Sequence, residues 1–215
     1  MNGFFIIRIF SNISNLILCW VGFRAFKYQA PVYARVFLLL NIFEQLAEMF
    51  IWISANQPGR QALANNASVV AEIVVYSYIF YKITYSKIIK WFFIFFNTLI
   101  VFRCLFLLIK NGFDQYINSA LQLSYYLILL ISTFTYFREI FIFRKQEDLL
   151  KDFTFWLVAG CMFYFAASII YYIGLGYLYM IKADHHLDDF YLFSGIVFII
   201  GNSICIKAYL CLKNG

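Results

Sequence analysis

Residues 88–109 read IIKWFFIFFNTLIVFRCLFLLI. An α-helix needs about 20 mostly apolar residues to cross a bilayer. A membrane strand would instead alternate apolar and polar residues over about ten positions. This run does not alternate, and it is about twice the length a membrane strand needs, so it reads as a spanning helix. Six further runs of the same character lie at about 3–23, 33–54, 66–83, 117–137, 153–179 and 190–212. The expected fold class is therefore all-α: a seven-transmembrane helix bundle in one domain, residues 1–215.

Composition agrees. The chain is 64% hydrophobic and 13% charged, against about 45–50% and about 25% in a soluble domain. A soluble fold of this size has no interior for 27 Phe and 17 Tyr, so the excess faces lipid. Seven spans use about 140 residues and leave only ordinary loops. Output, if the chain signals, has to pass through those loops or a partner. The net charge of +6 is spread over span ends, where basic residues suit headgroups and set orientation. This is not the pattern of a nucleic-acid binder.

Lys and Arg are unequally shared between the two sides. Arg24, Lys27, Arg35, Lys82, Lys87, Lys90, Arg138, Arg144, Lys145, Lys151, Lys207 and Lys213 fall on one side. Arg8, Arg60, Lys110 and Lys182 fall on the other. Cytoplasmic ends carry the excess. The N-terminus is expected outside and the C-terminus in the cytoplasm. Cys19, Cys104, Cys161, Cys205 and Cys211 all lie in spans without CxxC spacing, as free, buried thiols would.

The second span is LLLNIFEQLAEMFIWIS, residues 38–54. Its Asn41, Glu44, Gln45 and Glu48 recur every three or four residues and form one stripe. Ser68, Glu72 and Tyr76 do the same on the third span. Carboxyls within the membrane are costly and face a bundle interior or a wet cavity. Glu44, Glu48 and Glu72, with Arg103 of the fourth span, Gln122 of the fifth and Asn202 of the seventh, are the candidate ligand-binding residues. With the orientation above, most of them would line a cavity open to the outside. The alternative role for each acid is protonated, hydrogen-bonded glue between helices.

Other features are weaker. His185, His186, Asp188 and Asp189 lie in ADHHLDD between the last two spans. His–Asp pairs at i,i+3 would suit a divalent metal or a pH sensor, but adjacent histidines point apart on a helix, and a solvated loop is the simpler account. Lys207 is near a cytoplasmic end, where snorkelling explains it better than a Schiff base. There is no HExxH and no GxSxG, and no histidine lies in a span, so neither an enzyme nor a cofactor is expected. The stretch REIFIFRKQEDLLKD, residues 138–152, is the longest charged segment. Its basic residues suit anionic lipid, and its acidic group does not. Arg144, Lys145, Glu147 and Asp148 are therefore candidates for contact with a cytoplasmic partner.

The chain resembles a family of small, mostly uncharacterised bacterial seven-span membrane proteins. The likeness runs from about Val36 onward. It rests on Glu44 within LLLNIFEQLAE, on Asn66 and Glu72 within NNASVVAEIVVYSYIFYK, on FTFWLVAGCMFYFAAS in the sixth span, and on Asn202 within GIVFIIGNSICIKAYL. The chain departs from the family at Leu157-Val158, where a polar pair is usual, and at Phe193-Ser194, where a histidine is usual. Family members resemble sensory receptors and are often encoded near sensor kinases. The resemblance implies a bacterial inner-membrane protein that acts as a receptor-like sensory or signalling subunit. A sensor kinase or another membrane-complex subunit would be its partner, in a lipid bilayer, and a homo-oligomer is compatible. The alternatives are a small transporter and a structural subunit of a membrane complex.

Labelling of single introduced cysteines in intact cells tests the topology. Positions 60 and 185 should react with an impermeant reagent and position 215 should not. External labelling at 215 would overturn the orientation.

Overall fold

The structure, a computed structural model, describes residues 3–28, 30–54, 56–112, 119–143, 148–181 and 187–214. They form seven α-helices: α1 Gly3–Ala25, α2 Val32–Ile53, α3 Pro58–Ile83, α4 Lys87–Asn111, α5 Ser119–Phe143, α6 Phe153–Ile181 and α7 Leu187–Asn214. Short 3-10 turns occupy Phe26–Tyr28 and Leu149–Lys151. No strand occurs among the described residues. All seven helices are long and apolar enough to cross a membrane. Large side chains such as Trp91, Phe102, Ile109, Phe134 and Phe141 are exposed on them, as lipid-facing residues are.

Two boundaries differ from the sequence reading. Residues 55–65 read as a turn around Pro58-Gly59, but α3 begins at Pro58. Proline is favoured at the first helical position, where its missing N–H would be unpaired anyway and its φ is already helical. α3 thereby gains about two turns before Asn66. The fifth span read as ending at 137, yet α5 continues to Phe143. Glu139, assigned to the charged loop, is helical and buried. Sharper signals sit on α4. Ser86 precedes it, and its Oγ accepts from the Ile89 N–H at 3.5 Å, as an N-cap does. Gly112 closes it at φ 94°, a conformation that side chains disfavour.

The helices gather into two compact units. One comprises residues 31–128, with α2, α3, α4 and the start of α5; the other comprises residues 1–30 and 129–215.

In the second unit α7 packs on both α1 and α6. α1 and α7 run parallel. A side chain at Gly195 would collide with Ile7, Asn202 Nδ2 donates to Ser14 Oγ at 2.9 Å, and Val21 and Tyr209 border one pocket. The three pairings are seven residues apart on each helix, which is the repeat of left-handed helix packing. α6 runs antiparallel to α7. Phe153 packs edge-on against Tyr209 at 5.3 Å, and Tyr164 against Phe198 at 6.0 Å. Between these contacts, a Cβ on Gly160 would lie 2.6 Å from Cys205 Sγ and 3.2 Å from the Gly201 carbonyl. Glycine there lets two backbones approach, the usual device of membrane helices.

Gly160→Ala should therefore destabilise the protein by about 1–3 kcal/mol. Cys205→Ala should recover part of that loss by removing the colliding sulfur. Thermal unfolding in detergent of the two single variants and the double variant measures the coupling. Additive effects would contradict the close packing at Gly160.

Candidate functional site

The intramembrane acids belong to the unit formed by residues 31–128. α2 and α3 are antiparallel neighbours. Gln61 Nε2 donates to the Ile51 carbonyl at 3.4 Å, and the rings of Phe37 and Tyr76 lie 6.3 Å apart. This register puts Asn41 level with Glu72, and Glu44 about one turn along. α3 and α4 are also antiparallel, with Lys90 Nζ 5.2 Å from the Tyr81 ring centre. Asn97 then comes within a turn of the level of Glu72.

Burial follows from sequence periodicity. α2 buries Ala34, Phe37, Leu38, Asn41 and Gln45, one stripe at three- and four-residue steps. Glu44 and Glu48 flank it and are half-buried. α3 buries Asn66, Val69, Glu72, Ile73 and Tyr76. α4 buries Phe93, Asn97, Ile100, Cys104 and Leu108. In a helix that otherwise presents phenylalanine and leucine, Asn97 is the polar member of the buried face.

Glu72 is the centre of the arrangement. It is 7% exposed, and its Oε2 accepts a 3.0 Å hydrogen bond from the Tyr126 hydroxyl of α5. Glu44 interacts electrostatically with Glu72. Gln122, one turn before Tyr126, is 6% exposed. Asn41 Nδ2 donates to the Phe37 carbonyl of its own helix at 2.7 Å. Asn97 is 3% exposed, and its Oδ1 accepts no hydrogen bond among the described residues. An acceptor buried without a donor costs about 1–3 kcal/mol. The result is a polar layer at about one level of this unit: a buried carboxyl paired with a phenol, a half-buried second carboxyl and a buried amide acceptor.

The candidates divide accordingly. Glu44, Glu72 and Gln122 are in this unit, and Glu44 and Glu72 are neighbours. Glu48 is occupied near the end of α2, where Trp52 Nε1 donates to its Oε1 at 2.9 Å. Arg103 does not join the layer. It is exposed on α4 with its guanidinium 5.8 Å from the Phe106 ring centre, so it does not line an interior cavity here. Its position three residues before Phe106 and off the buried stripe of α4 is the reason. Asn202 belongs to the other unit and holds α7 to α1 through Ser14. Tyr126, Asn97 and Asn66 were not among the candidates. The i,i+4 spacing of Gln122 and Tyr126 carried a signal, but tyrosine is common throughout this chain and so stood out little.

His185 and His186 lie outside the described residues, and Asp188 and Asp189 fall in the first turn of α7. No metal-competent cluster of His, Cys, Asp or Glu occurs among the described residues. The five cysteines are free thiols. Arg144, Lys145 and Glu147 also lie outside the described residues. Asp148 is occupied locally: its Oδ1 accepts from the Leu150 N–H at 3.2 Å and its Oδ2 pairs with Lys151 at 3.0 Å. The Leu150 carbonyl accepts from Trp156 Nε1 at 2.8 Å and from Cys211 Sγ at 3.6 Å. These contacts tie the turn at 149–151 to α6 and α7.

No family model, curated protein or solved structure matches this chain.

Tyr126→Phe removes the hydroxyl that donates to Glu72 Oε2 and should cost about 1–3 kcal/mol. The same change made in Glu72→Leu should cost much less, because the acceptor is gone. Denaturation of the four proteins in detergent checks this. Equal costs in both backgrounds would mean that the Glu72–Tyr126 bond contributes nothing.

Proposed function

We propose that the protein is a receptor-like sensory or signalling subunit of a bacterial inner membrane, whose 31–128 unit binds a small ligand between its helices. The observation that carries this reading is the polar layer of buried Glu72, Asn97 and Tyr126 with half-buried Glu44. Glu72 and Glu44 interact electrostatically within one helical unit, and Asn97 supplies an acceptor that the described residues do not use. Packing alone does not require this, since apolar side chains would fill the same space without the desolvation cost. The ligand that suits such a site donates hydrogen bonds and carries positive charge, as a small protonated amine does. Gln122 would be a further contact.

The output would leave through the 138–152 segment. The turn at 149–151 is held to α6 and α7 by the Leu150 carbonyl, so a partner bound there would sense these helices. A sensor kinase or another membrane subunit is the partner that the family resemblance suggests. The C-terminal side would then be cytoplasmic, as the basic residues imply.

Thermal unfolding in nanodiscs, with sodium, potassium, ethylamine and spermidine as probes, tests the binding claim. One of the amines should raise the midpoint by several degrees in the parent protein, as ligation of a folded state does. Glu72→Gln and Glu44→Gln should remain folded and lose that shift. If no amine shifts the parent protein, or both variants respond as the parent does, the acids are structural glue and the sensory reading loses its basis.

A further inference from the structure

The α1 and α7 helices share a second polar feature, at the end opposite to Ile7 and Gly195. A pocket of about 360 Å³ is lined there by Trp20, Val21, Arg24, Ala25, Lys27, Tyr28, Tyr209 and Leu210. Its volume is at the small end of ligand pockets, which run about 300–1,000 Å³. All of the lining belongs to the unit of residues 1–30 and 129–215. The pocket arises where α1 gives way to the 3-10 turn Phe26–Tyr28. The change of helical period there sends Lys27 and Tyr28 off in directions that a continued α-helix would not.

The chemistry of the lining is specific. Arg24 and Lys27 are its only charged members, and both are exposed. Arg24 lies over the Trp20 ring, with the guanidinium carbon 4.1 Å from the centroid. Stacking of this kind holds the guanidinium plane and leaves its N–H edge for an anion. No carboxylate is among the lining residues. Tyr209 is 1% exposed and packs against Phe153, which makes the inner wall rigid. On the outer side Trp20, Phe23 and Tyr28 are exposed. Tryptophan and tyrosine at a helix end are interface anchors. An anion in this pocket would thus have two cations beside it and an apolar, lipid-facing surface beneath it.

We propose that this pocket binds the phosphate of an anionic phospholipid, with Arg24 and Lys27 on the phosphate and the acyl chains along Trp20 and Phe23. A phosphodiester supplies the oxygens that a guanidinium and an ammonium both seek. The apolar outer face favours a lipid over soluble phosphate, because a free ion gains nothing from Trp20 and Phe23. Basic pockets between membrane helices are a recognised setting for such headgroups. The site is separate from the Glu72 layer and does not depend on the sensory reading.

Native mass spectrometry of the full chain in detergent, titrated with phosphatidylglycerol, tests the proposal. Phosphatidylcholine and inorganic phosphate serve as the comparison probes. Phosphatidylglycerol should bind more tightly than phosphatidylcholine. The double variant Arg24→Gln/Lys27→Gln should weaken phosphatidylglycerol by about tenfold or more. Lys207→Gln, also a basic residue toward the end of α7 but outside the lining, should leave it unchanged. Both pocket cations are exposed, so the double variant should fold. Arg24→Lys, which keeps the charge and loses the planar fork, offers a milder second variant with an intermediate loss. Equal binding of the two lipids, or an equal loss with Lys207→Gln, would overturn the site in favour of general charge attraction. Displacement of phosphatidylglycerol by millimolar phosphate would overturn the lipid assignment in favour of a soluble anion.

Discussion

A polar group placed in hydrocarbon has no water to turn to, so it must find a partner within the protein. That constraint shapes this molecule more than the hydrophobic effect does, because lipid solvates leucine and phenylalanine about as well as a neighbouring helix would. It explains why every spanning segment is a helix. It also explains why Asn15, Asn41, Gln45, Asn66, Glu72, Asn97, Gln122 and Asn202 are buried, while Phe102, Ile109, Phe134 and Phe141 face outward.

The two units answer the constraint differently. Where α7 meets α1 and α6, small residues allow close approach. Gly195 admits Ile7, Gly160 admits Cys205 and the Gly201 backbone, and Asn202 adds one interhelical hydrogen bond to Ser14. Polar groups there are few and short, and they serve packing. In the 31–128 unit the buried carboxyl of Glu72 is satisfied by a phenol 54 residues away in sequence, with Glu44 half-buried near it; the other unit buries a carboxyl too, that of Glu139. Structural glue needs a donor for each acceptor. The Asn97 Oδ1 has no donor among the described residues, and Glu44 interacts electrostatically with Glu72. The unit is therefore the better candidate for a site that works on something other than its own fold.

The pocket at the end of α1 shows the same physics at the membrane surface. Arg24 and Lys27 lie at the end of α1 beside exposed aromatic rings, the arrangement by which a basic side chain keeps its charge at an interface. Two chemically opposite sites thus occupy one chain. An acceptor-rich layer lies inside one unit, and a donor-rich pocket lies at the edge of the other.

The number, type and approximate limits of the spans were legible in the sequence because hydrocarbon thickness fixes the length of an apolar run, and a continuous run of that length fits a helix and not an alternating membrane strand. The stripe of Asn41, Glu44, Gln45 and Glu48 was legible for a related reason, a 3.6-residue period that places them toward one side, with Asn41 and Gln45 buried and Glu44 and Glu48 at the flank. Helix starts were less so. Pro58 signals a turn and a first helical residue equally well, and only the packed α3 distinguishes them. Which polar residue meets which was beyond the sequence. Arg103 and Glu72 look alike as charges within apolar runs, but Arg103 falls off the buried face of α4 and Glu72 falls on that of α3. Tyr126 became the partner of Glu72, and Gly160 the partner of Cys205, through the rotation and register of whole helices. Those are set by the sum of many weak contacts along each interface, and no local stretch of sequence contains that sum.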